Sequence, residues 1–573
     1  MAGSVKVIKR NIKHSFIYLT SIKNSLANQT ECHLYTPTRE TRKIIIMEIK
    51  QNTLGQRQTF SNIHHPRTYE EVKALLSAFQ DAKQPYSVVS TGNNWGYGCD
   101  HSHGEVEHHV NLSQMNRIIH FDKKDGLITI EPGVTYGQLH RYLENEGADW
   151  ITPVHGGGPN CSVIGNAIER GYGITPITDH FQAVQSLRAI LPDGKLYQSP
   201  LYSIGLRRLG KLFRNGIGPY MDGVFTQSNL GVVTEMTIRL APKSEHLELF
   251  FIDVKEQELE AAVELVKTFK RKLKSTVGGV NLMNTERVIS MLADYPEEDV
   301  KNRNPLSEEF IRLKAKKHLI APWTMVGALY GEKSVVKAAK KIIKKELKPI
   351  KGKKVFLGQK KIGLIKKVAN ILPGTFGQDL QKTAKSLEGL FNILNGVPQN
   401  TALKLAYWKN LSANSDAPTL DPNKDNCGLI WYAPLVEMNA QNVREYVDMV
   451  KEVSNKFKIT PLITLTTIDD LCFDSTVPIL FNRDDVIDQK KAHEYFNALL
   501  ETGKRKGFYP YRLGTNSMES YLSALDDDYV SIMRTLKDAF DQDNLFACGR
   551  YIPRSGLEST VESTASRSLR AKL

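Results

Sequence analysis

Ser90-Thr91-Gly92-Asn93-Asn94-Trp95-Gly96-Tyr97-Gly98 is the stretch that decides how this chain is read. Residues 87–90 before it (SVVS) read as a short strand. The three glycines that follow free the backbone to turn its N–H groups together onto an anion. A second glycine-dense stretch, 156–173 (GGGPNCSVIGNAIERGYG), would let a planar ligand approach the main chain closely. Neither stretch has the G-x-G-x-x-G spacing of a βαβ dinucleotide turn, so a Rossmann site is not expected.

The elements around these loops set the fold class. Residues 69–81 place Val72, Leu75, Leu76 and Phe79 on one helical face. Strands are predicted at 109–112, 127–130, 184–191 and 231–240, with a helix at 136–146 entered through Pro132-Gly133-Val134-Thr135. The alternation is too irregular for a doubly wound sheet and predicts an α+β fold. Between 245 and 500, predicted helices at 259–273, 334–347 and 440–457 are interspersed with strands at 323–330 and 429–433, the pattern of a second lobe on an antiparallel sheet. Helices at 490–504 and 529–540 would return the chain to the first unit. The division expected is 47–244, 245–500 and a C-terminal return at 501–553. Residues 1–46 would be an extension, disordered or upstream of a start at Met47, and the Ser/Thr-rich 554–573 a disordered tail.

Composition narrows the function classes. A chain of 573 residues should hold about three packing units, or two large ones. No run of 18 apolar residues occurs, so no membrane span is expected. Six cysteines without a C-x-x-C pair predict neither a disulfide framework nor a metal site. The net charge of +14 is local: residues 312–367 carry 18 Lys/Arg against Glu332 and Glu346, residues 1–46 carry a further net +6, and the remainder is net −8. The lysine block reads as a solvated helix face plus a basic loop, and with no nucleic-acid motif beside it no nucleic-acid partner is expected. No convincing targeting segment precedes the patterned region, which points to the cytoplasm.

Taken together, several segments resemble the vanillyl-alcohol oxidase / p-cresol methylhydroxylase family of FAD-linked oxidoreductases, in its 4-alkylphenol-oxidising branch. They are STGNNWGYG (90–98), EPGVTYGQLHRYLE (131–144), IGNAIERGYGITPITDHF (164–181), GPYMDGVFTQSNLGVVTEMTIRL (218–240), WTMVGALYG (323–331), GVPQ (396–399), GFYPYR (507–512) and NLFACGRYIP (544–553). The resemblance runs from Gln56 to Pro553. It implies a two-lobe PCMH-type FAD-binding fold with a substrate (cap) domain on an antiparallel sheet. The cofactor it implies is FAD, held by Thr91, Gly92, Asn93, Asn94, Trp95 and Gly96 of the first loop and by Gly158, Cys161, Ser162, Gly165, Asn166, Gly171 and Gly173 of the second. Pro132, Val232 and Arg550 would complete the cofactor set.

The resemblance also carries over a phenol site. Tyr97, Tyr511 and Arg512 match the two tyrosines and the arginine that hold a phenolate oxygen, and a guanidinium with two phenolic donors suits that oxyanion. Asp179 matches the acid beside flavin N5 and the reacting carbon; read from the residues alone it could equally cap a helix start before His180. The implied reaction takes a hydride from the benzylic carbon of a small para-substituted phenol, at a CH–OH or CH2 group, through a p-quinone methide. The alternatives are a different aromatic or indolic substrate, or a flavin-binding partner protein without catalysis. The electron acceptor stays open among O2, a cytochrome and a quinone, and relatives pair through the substrate lobe, implying a homodimer.

The chain departs from the family at the flavin tether. Asp474 and Ser475 stand where a histidine pair would be expected, and Asn93 and Asn94 occupy the other common tether position, so non-covalent FAD is expected. Cys161 followed by Gly165 echoes the C-x-x-x-G spacing of cysteine-tethered relatives; the plain alternative is a small buried thiol. His155 is expected to pack.

Overall fold

Thr68 accepts the Glu71 amide with its hydroxyl and so starts the helix Tyr69–Ala82, which buries Val72, Leu76 and Phe79. This helix covers a small parallel sheet in which His108–Asn111 lies between Asn62–His64 and Tyr86–Val89. These elements belong to a computed structural model that describes residues 31–34, 45–371 and 374–553. Of the expected N-terminal extension only 31–34 and 45–46 are described, as strands of an antiparallel pair; the rest of it and the expected tail 554–573 lie outside the described residues.

Beside the parallel sheet stands an antiparallel sheet of five strands, in the order Leu196–Gln198, Val184–Ile190, Val232–Arg239, Leu127–Ile130, Ile118–Asp122. The helix Tyr136–Asn145 and the short helix Val163–Ile168 join its core, contributing Tyr136, Leu139, Leu143, Val163 and Ile164 beside Ile128, Ile130, Val184 and Leu187.

The second lobe is built on eight strands, all paired antiparallel. Seven follow the order Lys354–Gly358, His246–Val254, Trp323–Gly331, Val277–Asn284, Thr464–Thr467, Cys472–Asn482, Cys427–Tyr432, and Leu435–Glu437 pairs with Cys472–Asn482 off that path. The helices Leu259–Lys272, Lys333–Glu346, Ala440–Phe457 and Val486–Lys506 bury their apolar stripes on this sheet. The architecture is α+β with an antiparallel second sheet, as the pattern predicted. The lysine block is more than one helix face and a loop. It runs through the helices Glu308–His318, Lys333–Glu346 and Gln359–Ile371 and the edge strand Lys354–Gly358. Lys340 of this block reaches inward to Glu248 at 2.5 Å, whereas Lys366 pairs with Glu388 at the exposed surface.

The C-terminal return locks onto the first lobe through its backbone. Tyr86 N–H donates to Leu545 C=O at 2.9 Å and Ala547 N–H to Tyr86 C=O at 2.8 Å. Beneath it Lys537 and Asp541, on one turn of helix Asp527–Phe540 and its end, form a fully buried pair at 2.7 Å.

Candidate functional site

The first glycine loop is held by its own carbonyls and by the second lobe. Asn94 C=O accepts from the N–H groups of Tyr97 and Cys99, each at 3.1 Å. Gly96 has φ +75°, and a Cβ there would lie 2.3 Å from Trp431 Cδ1 of the strand Cys427–Tyr432. The glycine is therefore needed twice, for its left-handed backbone and for the close approach of the tryptophan, whose main-chain N–H donates to Gly96 C=O at 3.3 Å. Two side chains tie this loop to the second glycine stretch: Trp95 Nε1 donates to Gly157 C=O at 3.1 Å and Asn93 Nδ2 to Asn160 C=O at 2.9 Å. The two stretches read separately in the sequence are one wall.

Arg512 of the C-terminal return is the hub against this wall. Its guanidinium sits 4.9 Å from the centre of the Tyr97 ring. Nη2 donates to Asn94 Oδ1 at 2.6 Å and Nη1 to Asn166 Oδ1 at 3.3 Å, while Nε is buried without a partner. Tyr511 is placed by its N–H on Ala433 C=O at 3.3 Å, and its ring meets that of Tyr172 edge-on at 5.2 Å. Burial raises the Tyr97 and Tyr511 hydroxyls well above their ordinary range, so both stay protonated donors beside a permanent cation. The structure thus brings Tyr97, Tyr511 and Arg512 together.

Two carboxyl groups flank Tyr172. Asp179 forms an isolated bridge with Tyr172, is half-buried, and accepts Gln182 N–H at 3.0 Å, capping a turn rather than a helix. Asp474 comes from the strand Cys472–Asn482 and is buried, with no hydrogen-bond partner for Oδ1. Burial pushes its carboxyl up to about 8 against the pull of Arg512. Tyr172 is raised to about 12 by burial first and then by Asp179, Asp474 and the more distant Asp469.

Two histidines flanking the second stretch supply unpaired donors. Nδ1 of His155 accepts Gly157 N–H at 2.7 Å, and Nδ1 of His180 faces Asn166 Nδ2 at 2.8 Å and the Tyr136 hydroxyl at 2.9 Å. Each imidazole must then carry its proton on Nε2, and both Nε2 atoms are buried and unpartnered. Burial drives these groups down to about 3 for His155 and about 4 for His180, so the rings are neutral. A Cβ on Gly173 would lie 2.2 Å from His180 Nε2. The glycine leaves that N–H uncovered. Planar rings with acceptor atoms on their rim fit this arrangement of spare N–H donors and missing side chains.

The remaining expected cofactor residues divide. Ser162 uses its hydroxyl twice, donating to Pro132 C=O at 2.6 Å and accepting Gly165 N–H at 2.9 Å at the start of Val163–Ile168. Cys161 is buried beside the first loop, its thiol donating to Gly157 C=O at 3.0 Å and raised by burial to about 12. Thr91 and Gly92 enter the first loop, and Gly158 faces Asn400 of the second lobe. Gly171 packs on the Asn166 amide. Val232 packs its side chain in the core with Val72 and Ile190. Arg550 is engaged by Glu169 at 2.5 Å, and Glu169 also accepts from Tyr551 at 3.0 Å. Sequence reading missed Glu169, Tyr172, Tyr136, Asn166 as an arginine partner, and Asp474 as a site acid. A lone carboxylate inside the apolar strand CFDSTVPILFN was the available signal for the last.

Known proteins resemble this chain over most of its length. The FAD binding domain family matches residues 61–199. The chain is 30% identical over 501 residues to the 1'-carboxy-chondrochloren decarboxylase of Chondromyces crocatus, covering 86% of this chain and 92% of that protein. It is 23% identical over 487 residues to the 4-cresol dehydrogenase (hydroxylating) flavoprotein subunit of Pseudomonas putida, covering 84% and 86%. In fold it matches the crystal structure of p-cresol methylhydroxylase with substrate bound, at TM-score 0.74 and 22% identity over 86% of this chain and 89% of that one. It also matches 4-ethylphenol oxidase from Gulosibacter chungangensis in its isoeugenol complex, at TM-score 0.75 and 21% identity over 87% and 90%.

Proposed function

This chain belongs to the PCMH-type family of FAD-linked oxidoreductases, with FAD as its cofactor, and from that premise we propose that it oxidises the benzylic carbon of a small para-substituted phenol. The observation that carries the proposal is the Arg512 guanidinium, with a buried unpartnered Nε and the Tyr97 and Tyr511 hydroxyls near it. A phenol titrates near 10 in water. A fixed cation with two phenolic donors lowers that value and holds the resulting oxyanion without reorganising. The neutral imidazoles of His155 and His180 and the two glycine stretches would hold the flavin ring, and Asn93, Asn94 and the loop amides its phosphates. FAD, when bound, supplies the acceptor for the hydride that leaves the benzylic carbon. With the ring oxygen held as phenolate, loss of that hydride leaves a neutral p-quinone methide, which takes up water or rearranges to an alkene.

A second outcome is favoured by the Chondromyces relative, a decarboxylase. If the carbon next to the benzylic position bears a carboxylate, its loss as CO2 returns an electron pair to the quinone methide and gives an alkenylphenol. One CO2 released per flavin reduced would identify that course.

Arg512→Ala tests the reading. It should abolish flavin reduction by the phenol while leaving FAD bound; unchanged turnover on the true substrate would point instead to a different aromatic or indolic substrate. The electron acceptor that follows, the pairing of subunits and the compartment are independent of this reading. Among the described residues no helix is long and apolar enough to cross a membrane.

A further inference from the structure

The strand Cys472–Asn482 has two faces. Phe473, Ser475, Val477, Ile479 and Phe481 alternate into the second lobe, four of them in its main hydrophobic core and Ser475 accepting the Tyr446 hydroxyl at 2.7 Å. Asp474 and Leu480 lie on the other face, and Leu480 packs in the core of the FAD lobe. Asp474 therefore points toward the FAD lobe from an element otherwise built for packing. The backbone fixes its neighbours. Ser475 N–H donates to Pro434 C=O at 2.9 Å, and Tyr511 N–H donates to Ala433 C=O at 3.3 Å, so the Ala433-Pro434 segment joins Asp474 to Tyr511 and Arg512. Pro434 also bridges Pro510.

The chemistry of Asp474 is what such a position needs to exchange a proton. It is 7% exposed and its Oδ1 has no partner. A buried carboxyl oxygen left unpaired is costly to the fold, which argues for a bound group that completes it. The groups around it are Arg512 and Tyr511 from the C-terminal return, Tyr97 from the first loop and Tyr172 from the second, with Tyr446 of helix Ala440–Phe457 behind it on the Ser475 side of the strand. Arg512 is the one cation among these groups, and the four tyrosines are all held as neutral phenols.

We propose that Asp474 is the base that takes the phenolic proton of the substrate and returns it when the ring is restored, an assignment that rests on the phenol reading above. The substrate O–H bond breaks, its electron pair stays on the oxygen under Arg512, and the proton forms the O–H bond of the Asp474 carboxylic acid. After the benzylic hydride has left, water attacks the quinone methide at that carbon and loses a proton to solvent, and Asp474 gives its proton back to the ring oxygen. Asp474 begins and ends as carboxylate, and the oxidation is carried wholly by FAD.

The test is anaerobic stopped-flow reduction of the FAD holoenzyme by 4-ethylphenol between pH 6 and 10, in wild type, Asp474→Asn and Asp474→Glu. In wild type the reduction rate should rise with pH through a limb near 8, because the carboxylate is the active form. Asp474→Asn should lose about 10²-fold at pH 7, the contribution expected of a positioned base. Its rate should then follow the ionisation of the phenol itself and recover with a ring-fluorinated, more acidic 4-ethylphenol. Binding of 4-ethylphenol, seen as a perturbation of flavin absorbance, should persist in the variant, and Asp474→Glu should restore the limb. An Asp474→Asn enzyme with the wild-type rate, the wild-type limb and no gain from fluorination would overturn the assignment. Wild-type flavin that no phenol bleaches would overturn the phenol reading itself, and this assignment with it.

Discussion

The Arg512 guanidinium lies 4.9 Å from the ring centre of Tyr97, pinned there by the Asn94 and Asn166 amides rather than by a carboxylate. Its hydrogen-bonding partners are thus neutral, and the opposite charge nearest in effect is Glu169, which Arg550 also engages. Tyr97→Phe keeps the ring under the guanidinium and removes only the hydroxyl. Flavin reduction by a 4-alkylphenol should fall by about 10²-fold, the cost of deleting one donor to a developing oxyanion, with FAD content unchanged. Stopped-flow rates and the flavin-to-protein absorbance ratio check both halves.

The Cys161 thiol donates to Gly157 C=O, and its burial holds it far from the thiolate form that flavin bonding requires. We expect acid precipitation to leave the protein colourless and all the flavin in the supernatant. Cys161→Ser should bind FAD with the same stoichiometry. Yellow colour in the precipitate that vanishes in Cys161→Ser would establish a cysteinyl link instead.

Burial alone would raise Glu169, but Arg550 and then Arg512 reverse that and hold its carboxyl below the ordinary range. A depressed acid stabilises the fold above its unfolded value of about 4.3 and loses that contribution as pH falls through the folded value. Glu169→Gln should therefore be less stable than wild type by about 2 kcal/mol at pH 7, the worth of its charged hydrogen bonds. The gap should close as the pH is taken below about 4. Urea titrations at several pH values measure it.

The buried pair of Lys537 and Asp541 anchors the return that carries Arg550. Lys537 donates to Asn229 C=O and Phe546 C=O, and Asp541 accepts the N–H groups of Leu545 and Phe546. Lys537→Ala strands a buried carboxylate and should cost about 3–5 kcal/mol. Limited proteolysis should then cut first within 541–553, with weaker FAD retention.

How far the sequence could be read depended on whether a signal was local. The helix Tyr136–Asn145 was legible because Thr135 caps it on Gln138 N–H and its buried residues keep helical spacing. The strand Val277–Asn284 was not, because Gly278, Gly279 and Asn281 dilute its pattern; pairing on both sides with Trp323–Gly331 and Thr464–Thr467 makes it a strand. The division between site residues is similar. Tyr97, Tyr511 and Arg512 could be named from resemblance, since each sits in a recognisable segment. Glu169 lies inside such a segment, but its meaning comes from Arg550, 381 positions away, and no local pattern marks it. In the sequence Asp474 is visible only as a residue standing where a flavin tether is expected. Its significance lies in burial and in the face of the strand it occupies, neither of which a linear pattern displays.

The most direct test of the central claim compares 4-ethylphenol with its methyl ether as anaerobic reductants of the bound flavin. The two share the benzylic carbon and differ only in whether an oxyanion can form under Arg512. The account predicts that the phenol bleaches the flavin absorbance to completion and the ether leaves it intact. Equal bleaching by both, or by neither, would contradict it.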